Sequence, residues 1–549
     1  MKKQLIALIA LSLVSVMSFA NSNKEQKGAD GKTTLSIFIG ESMPDYPADG
    51  TIVGDRVSEL ANVDYEFEFL VGELQTRTGI MLASGDYPDI INARGEQHRF
   101  LNAGALLPLN DLITTHAPNL KKMLGDQYWE ALKEEDGNIY ILPDLIPYGE
   151  TNYTDADKGW WIQKAVLKEA GWPEVKKFED YWKLIENYKM KHPEINGEET
   201  IGFEPLTYDW YRDYLYTAAP LLEGMYSDNP IINKINGKWR VSPLDGTDLE
   251  YKYFKFMNEQ FNKGLIDPEG FVADKDQYIA KIASGRVLGI FDEYWIMNEA
   301  QEILKDENPD RIFVALPLTW DGGDDQYHYA KALATGLGTS ITTSCKDPVA
   351  AIKFLDTLAT DEIQKLATWG VEGVDYSIDS KGKFAKTADQ VKQMDENGNW
   401  FYPVWGGKYF YEFLPSMDGT FDDGNATRFG MQPSVFKEGL RDSQKEVLDA
   451  YGLDSFYEMF TPASNERAMY SPLWSIAPVT GSDEDLVGTK IYDLRTKYCA
   501  LAMTAEPGDF QNVWDEWMSQ ISDEDLEIQT NFYQEAINKR LAGYGVDNE

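Results

Sequence analysis

Residues 72–92 read GELQTRTGIMLASGDYPDIIN. The part 72–85 carries helix formers and stops at Gly85, a residue suited to the left-handed turn that ends a helix. DIIN, 89–92, is a short apolar run of strand type. Upstream, TLSIFI (34–39) predicts a buried strand and DRVSELA (55–61) a short helix. YEFEFL (65–70) predicts a second strand, with Tyr65, Phe67 and Phe69 alternating against acids. Strand, helix, strand, helix, strand in this order implies parallel pairing with helices on the sheet faces. The fold class is α/β.

The chain has 549 residues, enough for two or three domains. Its middle is helix-rich. WWIQKAVLKEAG (160–171) reads as a helix that stops at Gly171, followed by KFEDYWKLIENYKMK (177–191) and EYKYFKFMNEQFNKG (250–264). Asp347-Pro348 opens a helix as N-cap and first helical residue. Thr360 opens the next, which ends at Gly370. FQNVWDEWMSQISDEDLEIQTNFYQEAINKRL (510–541) reads as two helices. The sequence has no internal repeat of fixed period and no long linker.

Lys2 and Lys3 followed by the apolar LIALIALSLVSVMSF (5–19) form a signal peptide, 1–20, with Ser18 and Ala20 at the small positions before the cut. A polar, flexible leader follows, 21–33. With no cysteine near the cut and no other run of spanning length, a free periplasmic or secreted protein is expected. The formal net charge is −40; loss of Lys2 and Lys3 makes it −42. So acidic a surface repels phosphate backbones, and nucleic acid is not an expected partner. The two cysteines, Cys345 and Cys499, are expected as free buried thiols.

The four histidines are scattered, and there is no HExxH, no G-x-S-x-G and no phosphate loop, so no cofactor is expected. Aromatic residues stand out: 15 Trp, 31 Tyr and 25 Phe. Several sit in polar, turn-like company: Trp160 and Trp161; Tyr208, Trp210 and Tyr211 in PLTYDWYRD; Trp295 in FDEYW; Trp369; Trp400 and Trp405; and Trp474. Aromatic faces stack on the C–H faces of sugar rings while acids, amides and arginines bind the hydroxyls, so such a mixture suits a sugar cleft. Each of these aromatics equally suits a half-buried position at a lobe edge.

IMLASGDYPDII (80–91), GALLPLNDLI (104–113), DGNIYILP (136–143), GLIDPEGF (264–271), SGRVLGIFDEYW (284–295), KDPVAAIKFLDTLAT (346–360) and WGVEGVDYSID (369–379), in this order, resemble the extracellular solute-binding proteins of carbohydrate ABC transporters. This family includes maltose-binding protein, and the likeness is to its longer, lipoprotein-type oligosaccharide-binding members. The resemblance implies a two-lobe periplasmic-binding-protein fold of type II, with the ligand cleft between lobes joined by hinge segments. It implies lobe 1 at 33–150 and 335–380, and lobe 2 at 151–334 and 381–549. It implies a monomeric, non-enzymatic protein that captures a mono- or oligosaccharide and delivers it to permease subunits in the membrane.

The resemblance places Trp295 against the sugar, with Asp292 accepting from a hydroxyl, and Tyr208 or Trp210 beside it. It brings Glu96 or Arg99 to the cleft edge and leaves Trp369, Glu372 and Tyr376 to cleft, packing or hinge; Trp405 and Trp474 join the candidate ligand-binding residues on their aromatic, turn-like setting alone. Long members carry a calcium loop where this chain has KHPEINGEETIGF (191–203) without the leading Asp. No metal is expected, and Glu194, Asn196, Glu198 and Glu199 are the calcium candidates that remain.

Two other readings stay open. An exported glycoside hydrolase would use Asp292/Glu293 or Asp422/Asp423, although neighbours in an extended segment point to opposite sides and catalytic carboxyls must flank the bond from separate positions. A sugar sensor's ligand-presenting subunit would share the fold. Within FDEYW, strand alternation separates Asp292 from Trp295 unless the chain turns at 292–294.

Overall fold

The computed structural model describes residues 32–548, apart from 43–49, 135, 152, 227–228, 329–330, 335–336, 397–405, 464–466, 472 and 480. The signal peptide and nearly all of the leader lie outside the described residues, as do Trp400 and Trp405.

Two sheets carry the molecule. In the first, β1 (Thr33–Ile39), β2 (Val63–Phe69), β3 (Ile90–Asn92), β4 (Leu142–Pro143) and β14 (Gly338–Ile341) stand in the order β2-β1-β3-β14-β4. β1 pairs in parallel with β2 and β3, and β14 runs antiparallel to β3 and β4. Its two faces are both covered. Leu35, Ile37, Ile39 and Ile90 enter one core, while Phe38 and Ile91 point the other way into a smaller cluster with Met81 and Phe100. The helices Ile52–Ala61 and Leu74–Ser84 occupy the intervals between these strands, as the sequence predicts. Gly85 takes φ 70° at the end of the second helix.

In the second sheet, β6 (Lys158–Gln163), β9 (Ile201–Phe203), β12 (Val287–Glu293) and β13 (Phe313–Leu316) stand in the order β13-β6-β12-β9. β12 is parallel to β9 and antiparallel to β6. The smaller pairs are β5 (Leu145–Tyr148) with β17 (Ser416–Gly419), β7 (Glu194–Ile195) with β8 (Glu198–Glu199), β10 (Ile231–Ile235) with β11 (Lys238–Ser242), and β15 (Ser377–Ile378) with β16 (Phe384–Ala385).

Each sheet has its own core. One gathers residues from Leu35 to Ile146 and from Leu333 to Val435; the other gathers Ala156 to Tyr327 and Val447 to Trp517. The chain passes between them after Ile146, after Tyr327 and after Val435. This corrects the expected boundary: within 381–549, the residues Phe384, Val391, Tyr409, Phe410, Phe413, Leu414, Met417, Phe421 and Val435 pack in the first core. The cause is non-local. β17 pairs in parallel with β5, and the Asp144 carbonyl accepts from the Ser416 amide at 2.9 Å, which returns this segment to the first sheet.

A second correction concerns 160–171. Its start is not helix but the buried strand β6, where Trp160 and Trp161 are 0% and 2% exposed, and the helix is Lys164–Glu169. All six residues of this strand are buried between β13 and β12, and that burial overrides helix propensity. Cys345 lies in the first core and Cys499 in the second, both free. No helix among the described residues is long and apolar enough to cross a membrane.

Candidate functional site

β12 decides the site. All seven of its residues are buried between β6 and β9, and Asp292 and Glu293 face Gly159 and Lys158 across the ladder. The strand then ends abruptly. Glu293 keeps extended backbone (φ −81°, ψ 144°), the Tyr294 amide donates to the Asp157 carbonyl at 2.6 Å, and the helix Tyr294–Glu307 begins. This bend separates the FDEYW side chains. Asp292 is 1% exposed and turned inward, whereas Trp295, on the first helical turn, is 47% exposed.

Trp295 is not alone. The 3₁₀ turn Asp209–Tyr211 lifts Trp210 to 5.9 Å from it, with planes 23° apart. Tyr211 stacks on Trp210 at 4.1 Å and lies 6.2 Å from Trp295. Trp210 and the neighbouring Tyr208 are 43% and 49% exposed. Asp209 holds φ +47°, a left-handed conformation that is strained for a residue with a Cβ and that turns the indole outward. Arg212 ties the turn down, donating to the Asp209 carbonyl, to the Tyr492 hydroxyl at 2.7 Å and to Thr496 at 3.1 Å. Lys275 sits over the Tyr211 ring at 5.4 Å. Lys158 sits over Tyr214 at 4.6 Å and within 3.4 Å of Glu293. Large apolar rings left this exposed, side by side, form a platform that a ligand can cover.

The first lobe supplies polar groups. Glu41, Arg94 and Asp144 follow the carboxyl ends of β1, β3 and β4, the edge where open α/β sheets bind ligands. Arg94 also has positive φ, +51°. It donates to Asp144 at 2.9 Å, approaches Glu41 at 3.7 Å and covers the Phe413 ring at 5.7 Å. Asn92 adds a bond to Asp144 at 2.7 Å. Glu41 also reaches the second lobe electrically. Burial is the main cause that raises the Tyr211 phenol, and the Glu41 charge is the largest of the charges that add to it, ahead of Asp209 and Asp292. Acids and an arginine thus stand past the strand ends of the first sheet, and stacked rings past the end of β12 in the second.

Of the residues singled out in the sequence, the structure brings together Trp295, Trp210, Tyr208 and Tyr211. Asp292 does not join them at the surface, because its carboxyl is buried. Glu96 and Arg99 pair with each other beside Thr78, and their bonds stay within the first lobe. Trp369 is fully buried and donates its indole N–H to the Ala426 carbonyl at 2.9 Å; Tyr376 packs on it at 5.5 Å, and Glu372 occupies the exposed turn between them. That signature is lobe packing. Trp405 lies outside the described residues, as does the side chain of Trp474, whose backbone forms the 3₁₀ turn Leu473–Ser475.

The calcium candidates form the hairpin β7–β8. Glu198 pairs with Arg286 at 3.1 Å, Glu199 with Lys189 at 3.2 Å, and the Asn196 amide donates to the Ser284 carbonyl at 3.3 Å. Donors spent on cations and not converging do not fit a calcium loop, and the described residues hold no cluster of three or more metal-ligating side chains. Asp422 is engaged by Lys122 at 2.8 Å and the Tyr148 hydroxyl at 2.9 Å, and Asp423 by Lys365 at 2.9 Å.

Glu41, Arg94 and Asp144 are the candidate residues that the sequence does not single out. The available signal was position, one or two residues past each strand end.

Two α/β lobes joined by several chain crossings define a two-lobe binding-protein fold of type II. The match to the bacterial extracellular solute-binding protein family covers residues 63–365, and the chain belongs to that family. It is 28% identical over 261 residues to the fructooligosaccharide ABC transporter substrate-binding protein FusA of Streptococcus pneumoniae, a match covering 46% of this chain and only about half, 48%, of FusA. It is 21% identical to the lipoprotein LipO of Bacillus subtilis over 462 residues, 80% of this chain and 85% of LipO. Its fold is similar to that of an HMO binding ABC-transporter associated solute binding protein from Bifidobacterium longum infantis, with TM-score 0.65 and 14% identity over 93% of this chain and 99% of the other.

Proposed function

We propose that this protein is the exported substrate-binding component of an ABC importer, which closes on a mono- or oligosaccharide and passes it unchanged to a membrane permease. The observation that carries this reading is the stacked platform of Trp210, Tyr211 and Trp295, with both indoles exposed and with the Glu41 charge of the first lobe near enough to act on the Tyr211 phenol. Rings of this kind meet the apolar faces of sugars, and the polar wall meets the hydroxyls. The fructooligosaccharide relative supports a carbohydrate ligand, and membership of an extracellular family supports export to the periplasm or beyond.

The hydrolase reading loses its carboxylates. Asp292 faces inward while Glu293 faces Lys158, and Asp422 and Asp423 are tied in ion pairs. A general acid and its partner must both reach the bond. The sensor reading shares every residue of the site and differs only in the membrane partner. Titration against a panel of neutral mono- and oligosaccharides, with chromatography of the sugar afterwards, tests the proposal. A bound sugar recovered intact is expected; release of new reducing ends would overturn it.

A further inference from the structure

The platform rests on an acid that does not touch the cleft. Asp292 is the penultimate residue of β12, three positions before Trp295. Its backbone is clamped: the Trp161 indole N–H donates to its carbonyl at 2.8 Å, and its Oδ1 accepts from the Glu293 amide at 2.9 Å. Among the described residues its buried Oδ2 has no aligned hydrogen bond, nor has the hydroxyl of Tyr278, which belongs to the helix Lys275–Ala283 and lies close enough for the two groups to alter each other's ionisation. Among the same residues no cation forms an ion pair with this carboxyl. Lys158, the nearest, is committed to Glu293 and to the Tyr214 ring.

The groups around Asp292 are few. Glu293 and Lys158 lie on β12 and β6, Tyr278 on the neighbouring helix, and Tyr211 on the platform turn. Beyond Tyr278 stands Glu204 at the end of β9, with Lys281 at 3.3 Å and Asp267 held by the same lysine at 2.8 Å. Glu204 therefore has a cation ready for its ionised form, and Asp292 does not.

We propose that Asp292 is a positioning residue whose buried proton keeps the strand-to-helix bend under Trp295 closed, so that loss of the proton releases the aromatic platform and with it the ligand. This rests on the reading of the platform as the sugar site. When the carboxyl ionises, its charge demands water, and because Asp292 is buried at the end of β12, meeting that demand requires the strand end that leads into Trp295 to shift. Burial pushes the Asp292 carboxyl up to about 8, against the Glu293 amide and the Tyr278 hydroxyl, which favour the charge.

The test compares wild type, Asp292→Asn and Glu204→Gln from about pH 6.5 to about pH 9, a window in which Tyr211 and buried Tyr278, both raised above the ordinary phenol value, keep their protons. In ligand-free protein, the Trp295 emission, taken as wild type minus Trp295→Phe, is expected to change with a midpoint near 8, to stay flat in Asp292→Asn and to persist in Glu204→Gln. If only the protonated form binds, sugar affinity falls about tenfold between about pH 7 and about pH 9 in wild type and not in Asp292→Asn. A flat wild-type profile, or a transition that survives Asp292→Asn, would overturn the proposal. Should Asp292→Asn fail to fold, infrared spectroscopy of the Glu204→Gln, Glu250→Gln double variant, which lacks the two other carboxyls that burial raises to about 8, decides. Loss of a protonated-carboxyl band together with the emission change supports the proposal, and its loss without that change overturns it. Failure of every sugar to bind at any pH would count against the transport reading alone, since the ligand-free emission still reports on Asp292.

Discussion

At the scale of single residues, burial sorts the tryptophans that the sequence leaves equal. Trp295 is half exposed and rests on Trp210, so Trp295→Ala removes a stacking surface without opening the core. It is expected to weaken sugar binding by about 2 kcal/mol, roughly thirtyfold, with the unfolding midpoint nearly unchanged; calorimetric titration and a denaturant melt check both. Trp369 is the opposite case. Its ring is enclosed by Tyr376 and Phe384, with Lys386 over its face, so Trp369→Ala is expected to cost about 3–5 kcal/mol of stability. The exposed setting of Trp295 at a strand end was legible because its strand-turn-Trp sequence resembles the family's. Asp292 was legible only as a neighbour of that tryptophan, since alternation cannot say where a strand gives way to a helix. Arg94 was missed because a left-handed arginine after a three-residue strand leaves no periodic trace.

Elements with a strong period were read well. The strands Thr33–Ile39 and Val63–Phe69 and the helices Phe178–Lys191, Asp248–Asn262, Pro348–Leu358 and Asp361–Trp369 agree with their sequence patterns to within a residue or two. β6 was misread because a fully buried strand shows no alternation, and its apolar run continues into a helix. Packing between elements was not legible at all. The helices Asp248–Asn262 and Asp483–Thr504 meet through Arg495, which donates to Asp245 at 2.7 Å, to Glu250 at 2.6 Å and to the Tyr216 carbonyl at 2.7 Å, all buried. Arg495→Ala strands two acids in the interior and is expected to cost about 3–5 kcal/mol, measurable by urea unfolding. Asp274 caps the helix that carries Tyr278 with a reciprocal box to Gln277. Asp274→Ala is expected to cost about 1 kcal/mol.

Across the whole molecule, the α/β class and the two-lobe arrangement were legible, the first from element order and the second from resemblance. The assignment of 384–435 was not, because it depends on β17 finding β5 far back in the chain. pH acts at this scale too. Burial raises the Asp292 and Glu204 carboxyls to about 8 from ordinary values of 3.8 and 4.5. Each native carboxyl thus holds its proton after the unfolded chain has lost it. The stability these groups lend is complete below the ordinary values and is lost as pH rises through about 8. The melting temperature is expected to fall from about pH 6 to about pH 8, less steeply in Glu204→Gln. Lobe closure is expected to appear as a smaller radius of gyration when sugar is bound. The most direct measurement is calorimetric titration of wild type and Trp295→Ala with the same panel of neutral sugars. At least one sugar is expected to bind wild type and to bind Trp295→Ala at least tenfold more weakly. A sugar that binds both with equal affinity would contradict the placement of the ligand on this platform.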